Sequence, residues 1–160
     1  MAIDTLAYFL TSLIVFFGLI VGMLLIFIAP EEKKPGLKYF FALQCVLISL
    51  LVGIFLLFYG NDIYWALLSS VIILLAMVYH RQKMDNRWLY ALFGFIIFWS
   101  RIDDALFLLV SSILFLYGLA SGSLLANNRK KMSSFLFIVK SYWGFIFVAN
   151  GFYFLPLLFS

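Results

Sequence analysis

Charge is what this sequence has least of. Of its 160 residues only 11% are charged, while 66% are hydrophobic. A soluble domain carries about a quarter charged residues and about half apolar ones. So few charges cannot cover a water-facing surface, and the solvent that fits the composition is the bilayer. The scarcity of reactive side chains narrows the chemistry further. A single cysteine, Cys45, allows no intrachain disulfide and no thiol redox pair. One histidine, His80, and one cysteine cannot make a usual zinc site. No Ser-His-Asp set is expected, because His80 and the acidic pair Asp103 and Asp104 fall at opposite membrane faces. No glycine-rich phosphate loop is present. No catalytic residue, metal or cofactor is therefore expected. The net charge of +4 does not point to nucleic acid, since the basic residues sit in short clusters between apolar runs.

What the sequence does have is a series of apolar runs near the length of about 20 residues that a spanning helix needs. Residues 6–28 carry no charge. Asp4 and no Lys or Arg precede them, and no A-x-A site follows, so this run is read as a retained helix and not a cleaved signal. A turn bounded by Pro30 and Pro35 follows. The next runs are 39–59, closed by Gly60, Asn61 and Asp62, then 63–79, and then a short run at 88–100. Residues 105–126 and 135–158 complete the series, the last interrupted by Lys140. The run 88–100 covers only about 20 Å at 1.5 Å per residue, less than the hydrocarbon core of about 30 Å.

Charge placement decides whether that short run crosses. Lys33, Lys34 and Lys38 follow the first run, Arg81, Lys83 and Arg87 the third, and Arg129, Lys130 and Lys131 the fifth. The linker at Asp62 has no basic residue and the one at 101–104 has only Arg101. Lys and Arg collect in cytoplasmic loops. Six crossings put all three basic clusters on one side, whereas a re-entrant fourth run would strand the Arg129 cluster. The expected fold is an all-α, polytopic integral membrane bundle in one domain, residues 1–160. Its helices are expected at about 6–28, 39–59, 63–79, 86–100, 105–126 and 135–158. Both termini are expected on the non-cytoplasmic side, and the basic loops 30–38, 80–87 and 127–134 in the cytoplasm. A start before Trp88, or local bilayer thinning, would accommodate the fourth helix.

Helices in lipid approach closely through small residues. Gly18 and Gly22, Gly118 and Gly122 with Ser111 on the same face, Ser49 and Gly53, Ala66 and Ser70, and Gly144 and Gly151 all have such spacing. They are expected to be packing seams of the bundle, with dimerisation through the first or fifth helix as the alternative.

Several positions in or beside the apolar runs need a reason. Lys140 lies about 10 Å past the cytoplasmic boundary of its helix, where an unpaired Lys costs several kcal/mol. It either snorkels to the headgroups or serves an ion path, an anionic ligand or an acidic partner. Asp103 or Asp104 fits as the cap of the fifth helix, with a half-buried ion pair to Arg101 as the rival reading. Asn150 suits a hydrogen bond between helices, or a ligand or ion site. Cys45 reads as a small core residue, and His80 as a loop residue.

The function expected from these residues is that of a non-enzymatic subunit or scaffold of a larger membrane assembly. Its partners would be membrane lipids, other membrane subunits or a second copy of itself. One alternative is a small oligomeric channel or transporter with a polar path through Lys140, Asn150, Arg101, Asp103 and Asp104. Another is a lipid-modifying enzyme using Asp103 and Asp104.

Overall fold

The computed structural model describes residues 4–29, 33–79, 86–126 and 131–158, with side chains at 4–29, 36–79, 88–125 and 135–151. Among the described residues the chain is helical, with no strand. Its elements are α1 (Thr5–Ile28), α2 (Lys33–Phe58), α3 (Ile63–Tyr79), α4 (Asn86–Ser100), α5 (Asp104–Ala126), α6 (Lys131–Tyr142) and α7 (Gly144–Leu158). Three helical stretches are long and apolar enough to span a membrane: Thr5–Ile28, Gly36–Phe58 and Asp104–Leu125. The helices of the third, fourth and sixth apolar runs are shorter.

Local chemistry sets the turns. Gly60 takes φ +77°, the left-handed conformation that glycine adopts without a Cβ penalty. Its N–H donates to the Leu57 carbonyl at 3.2 Å, and the Asn61 N–H donates to the Leu56 carbonyl at 3.1 Å. This paired pattern ends a helix by satisfying its last carbonyls, so Gly60 and Asn61 stop α2. At the other short turn, the Asp103 carboxylate accepts from the Leu106 N–H at 2.8 Å. Asp103 is therefore the N-cap of α5.

Two helix limits differ from expectation. α2 begins at Lys33 and not at residue 39, running through Pro35. Proline is tolerated in a first turn, where the missing N–H has no intrahelical acceptor in any case. The stretch 33–38 is thus helix, and only 30–32 of that basic segment lies outside the described residues. The last run also starts early, at Lys131, and is divided at Trp143 into α6 and α7. Helical hydrogen bonds bridge the break, from the Trp143 N–H to the Val139 carbonyl and from the Phe147 N–H to the Trp143 carbonyl, each 3.2 Å. The break falls at the residue before Gly144, glycine being a weak helix former.

Helix directions alternate along the chain. α1 and α5 run parallel, because Gly18 meets Phe115 and Gly22 meets Leu119. α2 runs antiparallel to α5, with Gln44 bonded to Ser121 and Leu57 beside Leu106 across a shared groove. α4 runs parallel to α6 and α7, as Tyr90 meets Tyr142 edge to face while Gly94 meets Ala149. The turns at 60–62 and 101–103 consequently share one end of the bundle. There the Trp99 indole N–H donates to the Tyr59 hydroxyl. The last residues of α1, α3 and α5 and the first of α2, α4 and α6 share the other end.

The α1–α5 interface is the most extensive, and α3 packs mainly on α2. Leu19, Val110, Ile97 and Ile138 are completely enclosed. Beside them Tyr90 makes edge contacts with Tyr142 (5.1 Å between centroids), Phe93 (5.5 Å) and Phe145 (5.9 Å). Such edge-to-face arrangements suit the ring quadrupole and bind α4, α6 and α7 into one core. Many large apolar side chains remain on the outside, among them Leu67, Val71, Ile72 and Leu75 of α3. An outward apolar face of that extent fits a hydrocarbon environment.

Candidate functional site: buried polar bridges and an outward lysine

The small-residue positions on α1 and α5 face each other. A Cβ built on Gly22 would stand 2.0 Å from the Leu119 carbonyl oxygen, and one on Gly122 the same distance from the Leu19 carbonyl oxygen. A Cβ on Gly18 would also be too close, 2.6 Å from the Phe115 carbonyl oxygen. Only hydrogen fits at these crossings, so the backbones meet directly. Ser123 locks the seam by donating to the Gly22 carbonyl at 2.8 Å. On the neighbouring interface Gly53 of α2 lies against Ser70 and Ala66 of α3. Ser49 bonds within its own helix, to the Val46 carbonyl at 2.9 Å. Gly144 and Gly151 differ from the rest, since a Cβ at either would meet nothing within 4 Å.

Polar side chains in the interior bridge helices. Asn150 of α7 is 9% exposed and lies beside Ser12 of α1, its amide nitrogen 3.3 Å and its carbonyl oxygen 3.4 Å from the Ser12 hydroxyl. The Tyr8 hydroxyl donates to the Ala149 carbonyl one residue away, at 2.7 Å. Together these contacts pin α1 to α7. Gln44 of α2, which nothing in the apolar pattern singled out, donates to the Ser121 hydroxyl of α5 at 2.6 Å. Its signal in the sequence was simply an amide inside an apolar run, where an unsatisfied polar group is costly. Among the described residues the buried Ser111 hydroxyl has no hydrogen-bond partner, while the buried Tyr90 hydroxyl lies close to Ser121 and Gly118 of α5.

The remaining singled-out residues are dispersed. Lys140 is exposed on α6, whereas Asn150 is buried on α7, and no described residue bonds the Lys140 ammonium. Asp103 is half-buried and occupied as a cap, while Asp104 is exposed in the first turn of α5. The Arg101 guanidinium lies 4.9 Å from the centre of the Phe98 ring, a cation–π distance. Among the described contacts, Asn150 pairs with Ser12, Arg101 with Phe98 and Asp103 with the Leu106 N–H, and none joins one of these residues to Lys140. Cys45 is buried in the core. His80 lies outside the described residues, as do the side chains of the basic segments apart from Lys38. Among the described residues no His, Cys, Asp and Glu side chains gather in a group able to hold a metal ion.

No family model, curated protein or solved structure matches the chain.

Proposed function

We propose that the chain is a multi-pass membrane subunit without catalytic activity of its own, joining a larger assembly through the Lys140 face of α6 and α7. In this reading the bundle crosses the bilayer six times. The end holding the basic segments is cytoplasmic, by the placement of Lys and Arg, and both chain ends are on the opposite side.

The observation that carries the proposal is the outward Lys140. An ammonium at mid-helix facing hydrocarbon costs about 3 kcal/mol or more, and the interior of this chain offers it no carboxylate among the described residues. Gly144 follows one turn later and Gly151 two turns beyond that, both over open space. A second helix could approach the backbone there as closely as α5 approaches α1. The partner that fits is a transmembrane helix carrying an Asp or Glu level with Lys140. Ion pairing in a medium poor in water would then offset the cost of burying both charges.

The test is purification of tagged wild-type, Lys140→Arg and Lys140→Leu chains in mild detergent, with mass spectrometry of what travels with them. Wild type and the arginine variant retain a stoichiometric membrane partner with an acidic transmembrane residue. The leucine variant loses it at least tenfold at equal yield of folded chain. A wild-type chain that purifies alone or only with copies of itself, or a partner that stays on the leucine variant, overturns the proposal.

A further inference from the structure

A groove between α2 and α5 opens at the end of the bundle that holds the turns at 60–62 and 101–103. It has a volume of about 450 Å³ and lies between Ile54, Leu57 and Phe58 of α2 and Asp103, Leu106 and Leu109 of α5. Leu57, Phe58 and Leu109 are exposed along its walls. The two ends differ in polarity. Asp103 stands at the mouth, and Leu109 follows six residues later on α5, about 9 Å deeper. The Asp103 carboxylate is half-buried and uses Oδ1 to cap α5. Among the described residues its second oxygen has no donor, and that oxygen is not buried. An accessible carboxylate oxygen is thus set at the mouth of an apolar groove.

We infer that this groove holds one acyl chain of an ethanolamine phospholipid, with the lipid ammonium on Asp103. The inference rests on the membrane reading, in which the turns at 60–62 and 101–103 lie among the headgroups. It does not depend on a partner at Lys140. The polarity of the groove follows that of a lipid along its length, charged at the headgroup level and apolar below it. An ionised carboxylate only accepts, so its match is a cation with hydrogens to donate, which gives the shorter and stronger kind of hydrogen bond. A choline headgroup has the charge but no N–H. Asp104, exposed in the first turn of α5, adds a second negative charge beside the first. Arg101 stands two residues before Asp103 on the same turn. The ethanolamine headgroup joins a phosphate to an ammonium through two carbons, and so answers a cation and a carboxylate on one turn, as a simple alkylamine does not. Leu57, Leu106 and Leu109 then receive the acyl chain.

The probe is an ethanolamine phospholipid with a diazirine and a terminal alkyne on one acyl chain, used on the full chain in phosphatidylcholine vesicles. A choline phospholipid with the same modified chain serves as the comparison. The ethanolamine probe labels the groove, residues 54–58 and 105–109, about tenfold more than the choline probe, the effect of one hydrogen bond to a charged group. Unlabelled ethanolamine phospholipid competes for the site, and tetradecylamine at the same concentration does not. Asp103→Asn keeps the cap, asparagine being as good at that position, and lowers ethanolamine labelling to the level of the choline probe. Asp4→Asn removes an exposed carboxylate at the same end of the bundle but outside the groove, and changes neither. Leu109→Trp, which fills the groove from an exposed wall, lowers both. Equal labelling by the two probes makes the groove ordinary lipid annulus and overturns the inference. So does labelling indifferent to Asp103→Asn, competition by tetradecylamine as strong as by the phospholipid, or crosslinking of the groove to a second copy of the chain. Recovery of the chain in the aqueous fraction would defeat the membrane reading itself, a failure separate from that of the groove.

Discussion

Alanine at Gly22 is the perturbation whose consequence follows most directly from the geometry. Its Cβ would lie 2.0 Å from the Leu119 carbonyl oxygen, and ordinary contact begins at 3.4 Å. The second figure less the first leaves about 1.4 Å by which α1 and α5 must separate at this crossing. A gap of half that size already forfeits a quarter or more of the local dispersion energy. The 2.8 Å bond from Ser123 to the Gly22 carbonyl is stretched beyond hydrogen-bond range by the same movement. Overpacking costs about 1–3 kcal/mol, and an interhelical bond in lipid about 0.6–1.7 kcal/mol. Against this, alanine in place of glycine returns up to about 1 kcal/mol of helix propensity. The net expectation is a loss of about 1–4 kcal/mol. Unfolding in mixed micelles of increasing SDS fraction, followed by circular dichroism, measures it. Gly144→Ala and Gly151→Ala supply the control, because both positions are open. They leave stability unchanged or raise it by up to about 1 kcal/mol. If Gly22→Ala behaves like these two, the α1–α5 seam is not packed as described.

Other outcomes follow from single contacts. Asp103→Ala lowers stability by about 1 kcal/mol through loss of the α5 cap, whereas Asp103→Asn and Asp104→Asn change it little; the same SDS titration reads all three. Gln44→Leu loses the bridge to Ser121 and costs about 0.6–1.7 kcal/mol, an effect that Ser121→Ala, tested in a double-mutant cycle, does not add to. Lys140→Leu leaves the unfolding midpoint of the isolated chain unchanged or higher, because the side chain packs on nothing in the interior.

Much of the architecture was legible in the apolar runs. Gly60 and Asn61 end α2, and Asp103 starts α5, through backbone chemistry that those residue types announce. Glycines spaced four apart mark a close approach, but the spacing does not name the partner. Only the fold pairs Gly18 and Gly22 with Gly118 and Gly122, and leaves Gly144 and Gly151 facing outward. Lys140, Gly144 and Gly151 do share a helix face, as their spacing implies, yet that face points away from the bundle. Asn150 was readable as a bridge, while Ser12 and Tyr8, its neighbours across the interface, were indistinguishable from any other polar residue on a membrane helix. Gln44, Ser121 and Tyr90 escaped for the same reason: a polar group in an apolar run declares that it needs a partner but not where the partner lies. The early start of α2 was hidden by Pro35, which reads as a turn residue and yet is compatible with a first helical turn.

Six crossings with the basic segments on one side underlie both proposals, and cysteine accessibility tests them most directly. In a background where Cys45 is alanine, single cysteines are placed at Asn61, Ile102, Gln82 and Asn128, and intact cells are treated with a membrane-impermeant maleimide. Positions 61 and 102 label from outside, and positions 82 and 128 label only after the membrane is opened. Labelling of 61 and 128 from the same side, or of 82 and 128 from opposite sides, would contradict the six-crossing bundle and the orientation of every element built on it.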